Sequence, residues 1–208
     1  MNKLIASILI TFSINIFAQD QKAKEILDEL STTTKSYKNI SINFSFIMEN
    51  KNQNIKESQD GLLIIKEEKF YLKINNQTII NNGETQWIYL AETNEVQIMD
   101  HDPEENTISP KKLFTIYEEG YKYNYIGSRS VKGKYLEVVD LFPKESGEFM
   151  KINLEIDSEK NQLTKITLYD KNGGTYSYIV KSFKTDTIIK PFIFDTTNFP
   201  NIEVIDLR

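Results

Sequence analysis

The sequence predicts a mainly β protein: a single, strongly curved antiparallel sheet of about eleven strands, with two helices to cover its concave side. Three observations lead there. First, the runs 61–66, 70–74, 78–83 and 85–90 are β-rich and separated by Glu-Glu, Asn-Asn and Asn-Asn-Gly, the pattern of consecutive strands joined by tight hairpins. Second, Ile40, Ile42, Phe44, Phe46 and Met48 alternate with polar residues, a period of two sustained through Glu49. Third, helical patterns fall at only two places, which excludes an alternating βαβ architecture.

Taken in order, the chain opens with Asn2 and Lys3, continues through an apolar run at 4–17 and reaches Ala18 before Gln19 and Asp20. This predicts a secretory signal peptide at 1–18, cleaved after Ala18, and a single domain at 19–208. An apolar run of about 14 residues is short for a membrane span, which needs ~20. Residues 20–37 follow with Ala23, Ile26, Leu27, Leu30 and Tyr37 as the apolar stripe of an amphipathic helix, and with Asp20 as its N-cap.

After the strand at 40–48, residues 51–56 read as a polar turn leading into the meander. In that meander Leu62, Leu63, Ile64 and Ile65 are apolar on both faces, whereas Phe70, Leu72 and Ile74 alternate. A turn at 92–94 precedes a strand at 95–99. The only histidine, His101, lies beside Asp100, Asp102, Glu104 and Glu105; Pro103 and the lack of a second histidine favour a solvated acidic loop over a metal site. Ser109 and Pro110 have the chemistry of a helix start, and Leu113, Phe114 and Tyr117 give that second helix an apolar face ended by Gly120.

Tyr121, Tyr123 and Tyr125 come next at strand spacing, then strands at 134–142, 148–156, 163–170 and 175–184, the last two joined by an Asn-Gly-Gly hairpin signal. Residues 192–195 and 198–200 lead into an extended tail at 202–207.

Composition removes several functions. No cysteine is present, so neither a disulfide nor the lipid-modified cysteine of a bacterial lipoprotein can form. A net charge of −5, more negative by one once Lys3 leaves with the leader, argues against nucleic acid and against anionic lipid surfaces. With one histidine, no Gly-x-Ser-x-Gly elbow and no phosphate-binding glycine loop, nothing points to nucleophilic catalysis, a metal or a cofactor; a pair of carboxylates for glycoside cleavage stays open, since any two of the 30 acids could meet in space, and an enzyme is the third reading. What stands out instead is the aromatic content, 12% of the chain, placed among aliphatic residues in strands.

In their order along the chain, short motifs resemble the periplasmic outer-membrane lipoprotein carrier family, LolA. They are Ile26-Leu-Asp-Glu-Leu30, Phe44-Ser-Phe46, Gly61-Leu-Leu-Ile-Ile-Lys66 followed by Phe70, Asn82-Gly83-Glu-Thr-Gln-Trp87-Ile-Tyr89, Ser109-Pro110 with Leu113 and Phe114, Leu141-Phe-Pro-Lys144, and Phe192-Ile-Phe-Asp195. The resemblance implies an incomplete β-barrel of eleven antiparallel strands, with two or three helices as a lid over an apolar cavity. It implies a non-enzymatic periplasmic chaperone without cofactor, and a monomer is expected because a carrier must present its mouth to two partners in turn. Such a chaperone takes acylated lipoproteins from an inner-membrane ABC-type transporter and carries their acyl chains to the outer membrane.

On that basis the cavity wall would comprise Phe44, Phe46, Leu63, Ile65, Phe70, Leu72, Trp87 and Tyr89, and the lid Ile26, Leu30, Leu113 and Phe114. One position departs from the family. Where many members have Arg-Pro after the strand lysine, this chain has Lys66, Glu67 and Glu68, and an acid cannot donate hydrogen bonds to lid carbonyls as a guanidinium does. Latching and the outer-membrane acceptor are therefore left open, as are two other uses of the fold: a periplasmic binder of another amphiphile, or a sensor of mislocalised lipoproteins.

Overall fold

The structure, a computed structural model, describes residues 11–101, 117, 118 and 120–208, with residues 11–19 by their backbone only. Helix α1 (Thr11–Ser36) precedes β1 (Ile40–Asn50), β2 (Ile55–Lys66), β3 (Lys69–Ile74), β4 (Gln77–Asn81), β5 (Thr85–Leu90) and β6 (Glu95–Asp100). Then come β7 (Tyr121–Val131), β8 (Lys134–Pro143), β9 (Phe149–Asp157), β10 (Gln162–Asp170), β11 (Gly174–Thr185) and β12 (Glu203–Asp206). All twelve form one sheet in the order β12-β6-β5-β4-β3-β2-β1-β11-β10-β9-β8-β7. The two end strands do not pair with each other, so the sheet is an unclosed barrel.

The topology is two meanders sharing a centre. The chain runs outward from β1 to β6 and re-enters at β7 on the far edge. It then works back to β11, which pairs along the whole of β1 from Ile40 opposite Thr185 to Asn50 opposite Gly174. Asparagine holds the left-handed positions of several tight turns, Asn54, Asn75, Asn94 and Asn161 among them, which is why short Asn-rich segments suffice to reverse the chain.

All eleven predicted antiparallel strands are present, and four details differ. Residues 55–60, of which 55 and 56 are expected in the polar turn and 57–60 in no strand, are the first half of β2 and pair with the end of β1, Met48 opposite Glu57; apart from Ile55 they lack an apolar signature because this end of the sheet faces solvent. The extended tail contributes a twelfth strand, β12, parallel to β6. Helix α1 is already formed at Thr11 and runs on past Asp20, so Asp20 lies inside the helix rather than at its cap. Among the described residues there is one α-helix, and the second helix expected at 109–120 lies almost entirely outside them.

The sheet is covered on both faces, by different parts of the chain. On the concave side α1 lays Ala23, Ile26, Leu27 and Leu30 against Ile40, Ile42, Phe44, Leu63, Ile65, Val139, Leu141, Ile152, Leu154 and Ile166. These side chains are nearly all shielded from solvent, each worth about 1.5–3 kcal/mol if fully buried. The outer face of the β2–β6 half is covered by the chain that follows β11. That segment is tied at its start by Asn39, whose Nδ2 donates to Thr187 O at 2.9 Å and whose Oδ1 accepts from Thr187 N at 3.1 Å. Phe192, Phe194, Phe199 and Ile202 then pack on Ile64, Tyr71, Ile80, Trp87, Tyr89 and Val96.

The outer face of the β7–β10 half is polar instead. Glu155 pairs with Arg129 and with Lys165, while Asp140 accepts from Lys151 Nζ at 3.1 Å and from Asn153 Nδ2 at 2.6 Å. Buried carboxylates are therefore paired wherever the convex side lacks an apolar cover.

Candidate functional site

Along β1 the concave side chains change from sealed to open. Ile40, Ile42 and Phe44 are each 5% exposed, whereas Phe46 and Met48, further along the same face, are only half-buried. On β2, Ile65 and Leu63 are buried, and the row continues to the half-buried Gly61 and Gln59. The same end of the concave face holds Tyr176 and Tyr178 of β11, Phe149 of β9, and Tyr121 and Tyr123 of β7, all partly buried and packed against the edge of the core. Phe46 sits 5.1 Å from the Tyr178 ring and is stacked on Tyr176 at 6.4 Å, and Phe149 meets Tyr176 edge-on at 6.0 Å. The concave face is thus closed at the end where β1 starts and opens through a ladder of aromatic rings toward the other.

Strand register extends this surface across the first meander. Leu63 lies opposite Leu72, Leu72 opposite Ile79, and Ile79 opposite Ile88, so all four share the concave face. Leu90 joins them through Gln77 and Ile74. Every one of these residues beyond Leu63 is half-buried. Incomplete cover of an apolar row this long is a geometry that suits contact with apolar groups. Among the described residues no cluster of three or more acidic, histidine or cysteine side chains could hold a metal ion, and no helix is long and apolar enough to cross a membrane.

A family model described as "Outer membrane lipoprotein carrier protein LolA" matches residues 14–172. The chain belongs to the LolA family. Similar proteins include the outer-membrane lipoprotein carrier protein of Legionella pneumophila (strain Corby), 27% identical over 210 residues with 99% of each chain covered. That of Francisella tularensis subsp. tularensis (strain WY96-3418) is 25% identical over 226 residues, covering 99% of this chain and 98% of the relative. The crystal structure of an uncharacterized conserved protein from Thermus thermophilus superimposes with a TM-score of 0.58, covering 89% of this chain and 99% of the other. At 12% identity that likeness shows the fold alone.

Within this LolA fold the residues singled out from sequence separate into three groups. Ile26, Leu30, Phe44, Leu63 and Ile65 come together beneath α1, and Phe46, Phe70 and Leu72 pack at the rim of that cluster. Trp87 and Tyr89 do not join them, and their assignment to the concave wall is corrected. The β4–β5 hairpin sets Trp87 opposite Ile80 and Tyr89 opposite Thr78, which turns both rings to the convex face. There Tyr89 lies 5.4 Å from Phe194 and 4.6 Å from Phe199. Because Trp87, Ile88, Tyr89 and Leu90 are apolar in succession, the sequence shows that both faces of β5 are covered but not which residues serve which face. Ile88 and Leu90 are the concave residues. Leu113 and Phe114 lie outside the described residues.

Sequence reasoning also passed over Tyr176, Tyr178 and Phe149. Their signal was available in the alternation of β11, where Tyr176, Tyr178 and Val180 fall on one face.

Electrostatics place the polar groups at the margins of this LolA surface. Burial pushes the Tyr121, Tyr176 and Tyr178 hydroxyls up from the ordinary tyrosine range, as expected for rings set at an apolar boundary. On the helix side, Tyr117 is buried in the core and its hydroxyl donates to Asp28 Oδ1 at 3.3 Å; burial is the main cause of its rise to about 12. Next to it, Glu118 accepts from Lys35 Nζ at 2.7 Å and from Ser31 Oγ at 3.0 Å, and the lysine holds its carboxyl below the usual range. Residues 117 and 118 are thereby docked on α1.

His101 is not simply solvated: its Nδ1 lies 2.9 Å from Nδ2 of the fully buried Asn81. Because Asn81 Oδ1 accepts from Gly83 N at 2.7 Å, the amide must turn its donor toward the ring.

Proposed function

We propose that this chain is a periplasmic carrier whose concave face receives the acyl chains of lipoproteins, taking them from an inner-membrane ABC-type transporter and moving them toward the outer membrane as a monomer. The observation behind this reading is the gradient along β1, from residues sealed under α1 to Phe46 and Met48 half-open beside Tyr176 and Tyr178. Membership of the LolA family and the names of the Legionella and Francisella relatives support it. The wall comprises Phe44, Phe46, Leu63, Ile65, Phe70 and Leu72, with Ile26 and Leu30 on the covering helix.

The energetics call for such a surface. At ~0.8 kcal/mol per CH₂, an acyl chain of roughly 15 methylenes would cost about 12 kcal/mol if left in water. Contacts that are apolar and adaptable hold a chain of that kind while allowing it to leave, whereas hydrogen bonds would demand one geometry.

The test is Phe46→Glu. Protein recovered from a host periplasm should carry acylated cargo and release lipoproteins from inner-membrane spheroplasts; Phe46→Glu should lose both while its far-UV spectrum stays unchanged. Wild-type protein that neither carries cargo nor releases lipoproteins would overturn the carrier reading. Unchanged binding by the variant would remove Phe46 from the wall.

A further inference from the structure

We propose that the cleft between the start of β7 and the β8–β9 loop is a second subsite, which holds the stretch of polypeptide leading away from the acylated end of the ligand. The inference rests on the acyl-carrier reading and adds to it where the polar part of the cargo goes.

The cleft has a volume of ≈ 480 Å³ and is continuous with the aromatic ladder, because Tyr121 and Phe149 belong to both. From Phe149 the ladder runs through Tyr176 to Phe46. A ligand whose apolar chains lie along those rings has this cleft within reach of its polar end. The loop that forms its other wall is held in place at two points: Lys144 N donates to Gly120 O at 2.8 Å, and Lys171 Nζ donates to Ser146 Oγ at 2.9 Å. Neither Glu145, between these points, nor Gly147, just past them, spends a backbone group on a partner among the described residues, which leaves donors and acceptors for an extended chain.

Charge selects the occupant. Around the cleft two cations, Lys144 of the lining and Lys171 held on its Ser146, stand against three carboxylates, Glu145 and Glu148 of the lining and Asp170 beside Tyr176, so the local field disfavours a phosphate-bearing headgroup. A neutral peptide backbone pays no such penalty.

Gly147 provides the test. Its φ lies outside the left-handed range and a Cβ there would meet nothing within 4 Å, so the backbone admits a side chain at this lining position and Gly147→Trp sets a bulky ring at the cleft. Affinities are measured calorimetrically for a synthetic tri-acylated lipopeptide, for palmitate and for lysophosphatidylglycerol. Gly147→Trp should weaken the lipopeptide about tenfold, with palmitate and lysophosphatidylglycerol unchanged and Gly147→Ala indistinguishable from wild type. An unaltered lipopeptide affinity, or an equal loss for palmitate, overturns the subsite while leaving the acyl-binding reading standing. An equal loss for lysophosphatidylglycerol overturns the assignment to peptide. If wild-type protein binds neither lipopeptide nor palmitate, the acyl-binding reading fails, and the subsite with it.

Discussion

Gly61→Ala should destabilise the protein even though alanine is the better strand residue. In the interior of a strand glycine costs roughly 0.5–1 kcal/mol relative to alanine, so with no neighbour above it the change would be favourable. Here the space is taken. A Cβ on Gly61 would stand 2.3 Å from Phe44 Cζ and 2.7 Å from Cε1 and Cε2, against the ~3.5–4.0 Å of normal carbon contact, so the ring must retreat by more than about 1 Å. Phe44 is 5% exposed, sits 5.9 Å from the Tyr178 ring, and belongs to the core under α1. Overpacking of that kind costs about 1–3 kcal/mol, which exceeds the propensity gain and leaves a net loss of about 1–2 kcal/mol. Urea denaturation of wild type, Gly61→Ala, Phe44→Leu and the double variant isolates the contact. With the ring removed, alanine at 61 should cost nothing or stabilise slightly, giving a coupling of about 1–2 kcal/mol. If Gly61→Ala matches or exceeds wild-type stability, or costs the same with leucine at 44, the ring does not lie over this glycine and the packing argument is wrong.

Phe194→Ala should cost about 3 kcal/mol, since the ring is 8% exposed between Tyr89 and Phe199, yet leave amphiphile binding intact because it covers the convex face. A parallel loss of binding measured by calorimetry would show that the two faces are coupled. Asp140→Ala should cost about 1–3 kcal/mol in urea denaturation, because it strands the partly buried Lys151 and the Asn153 amide. For Tyr117 the folded protein holds the proton more tightly than the unfolded chain. Its contribution is therefore complete below pH 10 and is lost as pH rises through about 12. An ultraviolet titration should show that Tyr117→Phe removes one tyrosine titrating at about 12, leaving the other late tyrosines in place; no change in the curve would place that hydroxyl in solvent.

Much of this architecture is written in local pattern. Alternation at 40–48 and the Asn-rich turns of the first meander predict β1 and β3 to β6 because a half-buried strand and a left-handed turn each leave a short-range signature. Likewise Ala23, Ile26, Leu27 and Leu30 announce the buried stripe of α1, since 3.6-residue spacing needs no knowledge of what it packs on. The motifs of the LolA family lie in the same order along the chain, and the family match follows them.

What local pattern left undecided is which face each residue serves and how far that face is covered. Trp87 and Ile88 are adjacent and both apolar; only the pairing of Ile80 with Trp87 sends one ring outward to the tail and one side chain inward to the concave row. The polar half of β2 became visible only through its ladder to the end of β1. The tail is similar: nothing near Phe192 or Phe194 in sequence says that they will cross the chain to seal the back of β4, β5 and β6. Register and long-range docking are set by the sum of contacts over the whole sheet, and a one-residue slip would exchange every inward and outward side chain. Sequence therefore determined the strands, the turns and the family, while the tertiary fold alone decided that Phe46, Leu72, Ile88 and Tyr178 face one half-open surface together.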